Sequence, residues 1–125
     1  MTTARDLAKA SLAAVKAKDK TAWVALFEED AVVQDPVGVS RFDATGEGHK
    51  GRAAIARFWD VFMENQASFD STIHHTALGG NELAAYATLH IGLKDGTKFD
   101  VPVLNVYKMS SNGKLASLRS FWEGG

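Results

Sequence analysis

The sequence predicts an α+β fold in a single domain spanning residues 1–125, with three N-terminal helices followed by a mainly antiparallel sheet. Three observations lead there. Apolar residues recur at helical spacing in two stretches before residue 66. Strict alternation begins after Ala67. Two dipeptides further on, Asp95-Gly96 and Asn112-Gly113, are strong hairpin signals.

Taken in order, Ala4 to Lys18 is built of strong helix formers, with Leu7, Ala10, Ala14 and Ala17 on one stripe and Thr3 placed to cap it. Thr21 to Phe27 reads as a short second helix carrying Trp23, Leu26 and Phe27, and Glu28-Glu29-Asp30 as its solvated end. Val39 to Gly48 is polar and reads as a loop with at most a short strand at its end. Gly51 opens a third helix, about Arg52 to Gln66, in which Ile55, Phe58, Trp59, Phe62 and Met63 form a wide apolar face. Beyond it come a long alternating strand, a turn at Gly79-Gly80-Asn81 and the apolar run Leu83 to Leu93.

The hairpins set an expected register. A two-residue loop at Asp95-Gly96 pairs Tyr86 with Asn105, Thr88 with Val103 and His90 with Val101. A loop at Asn112-Gly113 pairs Leu118 with Tyr107, Ser120 with Asn105 and Trp122 with Val103. One face would then collect all of these, mixing aromatics with a few polar groups. The opposite face, with Ala87, Leu89, Ile91, Leu104 and Val106, is apolar too. Such a sheet needs two covers, the helices on one side and a second copy of the chain on the other, so a homodimer through the outer face is expected.

The candidate chemistry sits in Val32-Val33-Gln34-Asp35-Pro36-Val37-Gly38. Pro36 fixes its own φ and holds Asp35 in extended geometry, and Gly38 allows a sharp turn. By alternation Asp35 shares a face with Val33, which suits a base in an apolar pocket, while an isolated Asp-Pro equally suits a surface turn. Tyr86, Asn105 and Ser120 in one cross-strand row, beside Val103 and Trp122, suit a ligand cavity. They also suit a buried amide satisfied by its neighbours.

Composition narrows the classes. Fourteen basic and fifteen acidic residues are interleaved, which offers nothing to a nucleic-acid backbone or an anionic membrane. No cysteine is present, which excludes disulfides and thiolate chemistry. No basic-then-apolar leader and no membrane-length apolar run occur, so a cytoplasmic location is the default expectation. His74 and His75 are adjacent in a strand and point apart, His49 is expected to be exposed, and no pair has zinc spacing, so no metal is expected. Gly46-Glu47-Gly48 lacks the context of a phosphate loop, and no cofactor is expected. His90 falls on the presumed pocket face, as an acid or donor or as a satisfied rim histidine.

Ala25-Leu26-Phe27-Glu28-Glu29-Asp30-Ala31 running into Val33-Gln34-Asp35-Pro36-Val37-Gly38, then Gly51-Arg52-Ala53-Ala54-Ile55, Phe58-Trp59 and finally Phe121-Trp122, resembles Δ5-3-ketosteroid isomerase. More broadly the chain resembles the nuclear transport factor 2-like (cystatin-like, SnoaL-like polyketide cyclase) superfamily. The resemblance implies a cone: a strongly curved sheet wrapped by three helices, dimerising through its outer face. It implies Asp35 as the catalytic base that moves a proton beside a carbonyl, with a steroid-like apolar ligand as substrate. It also implies Asn105 at the position of an oxyanion donor. The family's donor tyrosine in the first helix falls near Ser11, whose hydroxyl is too short for that task, so Tyr86 is the expected substitute. Trp59 stands at another pocket tyrosine, and Phe58, Val103, Leu118, Ser120 and Trp122 complete the expected pocket. Two function classes follow: a cofactor-independent isomerase (or a related cyclase or lyase), and a non-catalytic binding or dimerisation module of the same fold.

Overall fold

In the computed structural model, which describes residues 1–123, three helices pack on a six-stranded sheet. They are α1 (Ala4–Ala17), α2 (Lys20–Ala25) and α3 (Arg52–Met63). The strands are β1 (Phe27–Gln34), β2 (His49–Lys50), β3 (Gln66–Gly79), β4 (Glu82–Leu93), β5 (Lys98–Met109) and β6 (Leu115–Phe121). The spatial order is β2-β1-β6-β5-β4-β3, antiparallel throughout except for the parallel pair β1–β6. This is the expected α+β architecture of helices on a curled sheet, the nuclear transport factor 2-like cone. No helix among the described residues is long and apolar enough to cross a membrane.

Local chemistry explains the helix ends. Thr3 and Asp6 form a capping box: Thr3 Oγ1 accepts from the Asp6 N–H at 3.3 Å, and the Asp6 carboxylate accepts from the Thr3 N–H at 2.8 Å. Lys18 closes α1 in the left-handed region, with φ 57°. Asp19 then caps α2 by accepting from the Ala22 N–H at 3.0 Å.

The second helix is shorter than its sequence suggests. Phe27, expected as its last residue, opens β1 instead, completely buried and paired with Leu115. Its carbonyl accepts two bonds from the Arg52 guanidinium, at 2.9 and 2.7 Å. Glu28-Glu29-Asp30 is therefore strand rather than helix end. Likewise α3 stops at Met63, and Gln66, expected inside it, opens β3.

The largest departure is at Asp95-Gly96. The loop has three residues, not two: the Leu93 N–H donates to the Thr97 carbonyl at 2.8 Å, and Gly96, at φ 92°, donates to Leu93 at 3.0 Å. One extra residue slips the β4–β5 pairing by one position, so Tyr86 lies opposite Leu104, and Asn105 opposite Ala85. A slip of one turns every β4 side chain over. Tyr86, Thr88 and His90 therefore face away from the helices, and Leu83, Ala85, Ala87, Leu89 and Ile91 face them. The β5–β6 register follows expectation, with Ser120 opposite Asn105 and Leu118 opposite Tyr107, because a bulge at Lys108/Met109 absorbs that loop's extra residue.

The core lies between the helices and the inner sheet face. Trp23 is its hub, set edge-on to Phe27 with ring centroids 4.8 Å apart and against Trp59 at 5.2 Å.

Candidate active site

Asp35 directly follows β1, whose Val33 is fully buried. The Val37 N–H donates to the Ser120 carbonyl at 2.9 Å, which ties the Asp-Pro segment to the end of β6. Asp35 thereby lines a cavity of about 540 Å³, within the range of small-molecule sites. The remaining walls are mostly apolar: Phe42 from the long loop, Phe62 from α3, Leu89 and Ile91 from β4, Val101 from β5, and Trp122.

Burial among these groups pushes the Asp35 carboxyl up from its ordinary value to about 6, because water no longer stabilises its charge. Two donors hold it back from rising further. The Trp122 indole N–H donates to Asp35 Oδ1 at 2.6 Å, and the Ser120 hydroxyl is the smaller influence. The Ser120 hydroxyl has a single proton, however, and its close contact is with Asn105 Oδ1 at 2.5 Å. Among the described residues Trp122 is therefore the one geometrically complete donor to the carboxylate, and more than the pocket-lining residue expected. Trp122→Phe is expected to raise the Asp35 pKa by about one unit, the worth of a hydrogen bond to a charged group. Carboxyl carbon NMR titration measures the shift, and an unchanged midpoint would deny that the indole matters.

Asn105 and Ser120 are buried behind this wall. Asn105, 7% exposed, donates to the Tyr107 hydroxyl at 3.2 Å and accepts from Ser120. Its expected partner Tyr86 is instead on the outer face, 45% exposed, with its ring 4.8 Å from that of His74. The β4 slip is the reason. His90 moves outward with it, its Nδ1 2.8 Å from Asp100 and its Nε2 2.8 Å from the Thr72 hydroxyl. Phe58 sits beneath the cavity, stacked on Phe62 with centroids 5.4 Å apart. Trp59, Val103 and Leu118 are core residues. Ser11 is also spoken for, accepting the Trp23 indole N–H at 3.0 Å. His49, expected to be exposed, is partly covered by the Phe58 ring at 4.7 Å, and burial lowers its pKa.

Several wall residues lie outside the pocket expected from the sequence. The same one-residue slip brings Leu89 and Ile91 to the cavity face, opposite to the expected one. Phe42 lies inside a polar loop, where a lone aromatic is itself a signal. It packs with centroids 6.1 Å from Phe62 and 6.3 Å from Trp122, in a loop braced by Asp43, which accepts from the N–H groups of Gly46 and Gly48.

Comparison with known proteins places this site in context. The chain is 26% identical over 114 residues, 91% of its length and 85% of the relative's, to the steroid Delta-isomerase of Nocardioides simplex. It superposes with a TM-score of 0.89 and 26% identity on Mycobacterium tuberculosis RV0760c, solved in complex with estradiol-17beta-hemisuccinate, covering 98% of this chain and 95% of that one. The Delta 5-3-ketosteroid isomerase from Mycobacterium sp. gives the same TM-score, identity and coverage. The model of the SnoaL-like domain matches residues 8–118. A carboxylate at a strand end, opening on an apolar hollow under three helices, thus accompanies a match over most of the sequence, and the chain belongs to the SnoaL-like domain family.

Proposed function

We propose that this protein is a cofactor-independent proton-transfer enzyme of the steroid delta-isomerase type. Asp35 removes a proton beside a carbonyl of an apolar, steroid-like ligand and returns it further along the conjugated system. One observation carries the reading: a carboxyl with a pKa of about 6, held by an indole N–H, on the wall of an apolar cavity. Near neutral pH that carboxylate is ionised yet basic enough to take a carbon-bound proton, the match a general base requires. The similarity to a steroid Delta-isomerase supports the substrate class.

Asn105 is the proposed donor to the developing oxyanion, and it would act alone. Tyr86 faces outward and Ser11 serves Trp23. One of the two Asn105 side-chain N–H groups donates to the Tyr107 hydroxyl at 3.2 Å and the second remains for a ligand oxygen. That oxygen must reach past the cavity wall, because Asn105 does not line the cavity. A missing donor typically costs about 10²–10³ in kcat. Slow turnover of a simple ketosteroid is therefore expected. This favours, as a second reading, a cyclase- or lyase-type substrate whose own conjugation stabilises the enolate.

The deciding experiment is isomerisation of 5-androstene-3,17-dione by the wild type and by Asp35→Asn. Turnover that disappears in the variant supports an enzyme, whereas steroid binding without turnover in either protein supports a binding module.

A homodimer through the outer sheet face belongs to the same proposal. Tyr86, Leu104 and Phe121 form an exposed apolar patch there, the kind of surface that soluble proteins cover. Sedimentation should give a dimer that Leu104→Lys converts to monomer. A monomeric wild type at tens of micromolar would remove the dimer, since specific interfaces commonly hold at about micromolar or below.

A further inference from the structure

Of the polar residues that line the cavity and that the proton-transfer reading does not use, Arg41, Glu64, Asn65, Asp100 and Glu123 are exposed and Gln66 alone is buried. Gln66, the first residue of β3, lines it and is only 5% exposed. Its Nε2 donates to the Phe62 carbonyl at 3.4 Å. That carbonyl belongs to the last turn of α3, where main-chain acceptors lack a helical partner and call for a donor. A carbonyl can only accept, so it selects the nitrogen end of the amide. The oxygen end is thereby turned the other way. Gln66 Oε1 is buried and, among the described residues, has no hydrogen-bond partner. A dehydrated acceptor is costly to leave unmet, which makes each such atom in a native fold a question about what meets it.

Position supplies the answer. Asp35 follows β1, whereas Gln66 opens β3 at the opposite edge of the sheet and pairs with Leu93 beside the β4–β5 loop. Four strand spacings, about 19 Å along the curved sheet and less across the hollow, separate their strands. Between them the wall is Phe62, Leu89, Ile91 and Val101. The cavity therefore has the Asp35 carboxylate towards one end, the buried Gln66 amide towards the other and a mostly apolar wall between, with exposed charged side chains such as Arg41, Asp100 and Glu123 also lining it.

We propose that Gln66 forms a second polar subsite, in which its Oε1 accepts a hydrogen bond from a hydroxyl at the end of the ligand remote from the reacting carbonyl. This rests on the proposed use of the cavity for a rigid apolar ligand and adds the ligand's other end. A rigid polycycle with a carbonyl at one terminus and a hydroxyl at the other satisfies both. A ligand ending in hydrocarbon leaves the Gln66 oxygen as it is. A ketone at that end brings a second acceptor against it.

The test is equilibrium binding, which needs no turnover. Three steroids share a 3-keto group and differ at C17, carrying a hydroxyl (testosterone), a ketone (androstenedione) or hydrogen only (androst-4-en-3-one). The wild type should bind the hydroxyl compound about fivefold more tightly than the hydrocarbon-ended one, the worth of one net hydrogen bond. The ketone should gain nothing over hydrogen. Gln66→Met, which keeps the length of the side chain and removes the acceptor, should abolish the hydroxyl preference. Because the readout is a ratio of affinities within one protein, incomplete folding of the variant cancels. Equal affinities in the wild type, or an unchanged preference in Gln66→Met, would overturn the subsite while leaving the proton-transfer reading intact. Failure of all three steroids to bind would instead overturn the steroid-like use of the cavity, and the subsite with it.

Discussion

Asp35→Asn is expected to lower kcat/KM for isomerisation by roughly 10²–10⁴-fold, the usual worth of a positioned general base. Steroid affinity should survive, because the amide keeps the shape of the side chain and leaves the apolar walls unchanged. In the wild type, kcat/KM should rise with pH through about 6, as Asp35 ionises. A profile flat between pH 5 and 8, or a variant with undiminished turnover, would remove Asp35 from the chemistry.

The same substitution has a consequence for stability, of the opposite sign. The carboxyl pKa is raised on folding from an ordinary 3.8 to about 6. Between those values the native state binds more protons than the unfolded state. Unfolding free energy therefore falls as pH rises through that window. At pH 7 the buried charge costs at most about 3 kcal/mol, and less to the extent that water in the cavity solvates it. Asp35→Asn removes that charge, so the inactive variant should be the more stable protein at pH 7, with an advantage that shrinks towards pH 4. Urea denaturation of both proteins at the two pH values measures this, and a variant equally or less stable at pH 7 would mean that the carboxylate is not strained by burial.

Phe27→Ala carries the largest expected loss of stability, about 3–5 kcal/mol, from transfer of the ring to water and the cavity left behind. The ring is fully buried against the Trp23 edge where α2 gives way to β1. That neighbourhood cannot collapse easily, since Trp23 is also held by Ser11 and Trp59. The consequence should reach the site, because β1 ends at the residue before Asp35. Chemical denaturation reads the loss, and a value below about 1 kcal/mol would show that the site repacks.

How far the sequence discloses this protein depends on the range of the interaction that decides each feature. The first helix was legible because its signals are local: an apolar stripe, good helix formers and the Thr3 cap. Asp35 was legible for the same reason, since a strand run followed by Asp-Pro-Val-Gly constrains one short piece of backbone whatever surrounds it. Phe27 was not, because its strand conformation comes from Leu115 and Arg52, both distant in sequence. The inner face of β4 was not legible either. Asp-Gly marks a hairpin reliably but does not count the loop's residues, and a single residue decides whether Tyr86 or Leu89 faces the cavity.

The sequence by itself determined the helices-then-sheet order, the position of the carboxylate, the β5–β6 row joining Asn105 and Ser120, and two apolar sheet faces. Only the tertiary structure decided which aromatic side chain meets that carboxylate, which tyrosine meets Asn105, and which glutamine oxygen is left facing nothing. The first set follows from periodicity and turn chemistry within about a dozen residues. The second depends on hydrogen bonds and packing between strands far apart in the chain, where a shift of one position turns a side chain from one face of the sheet to the other.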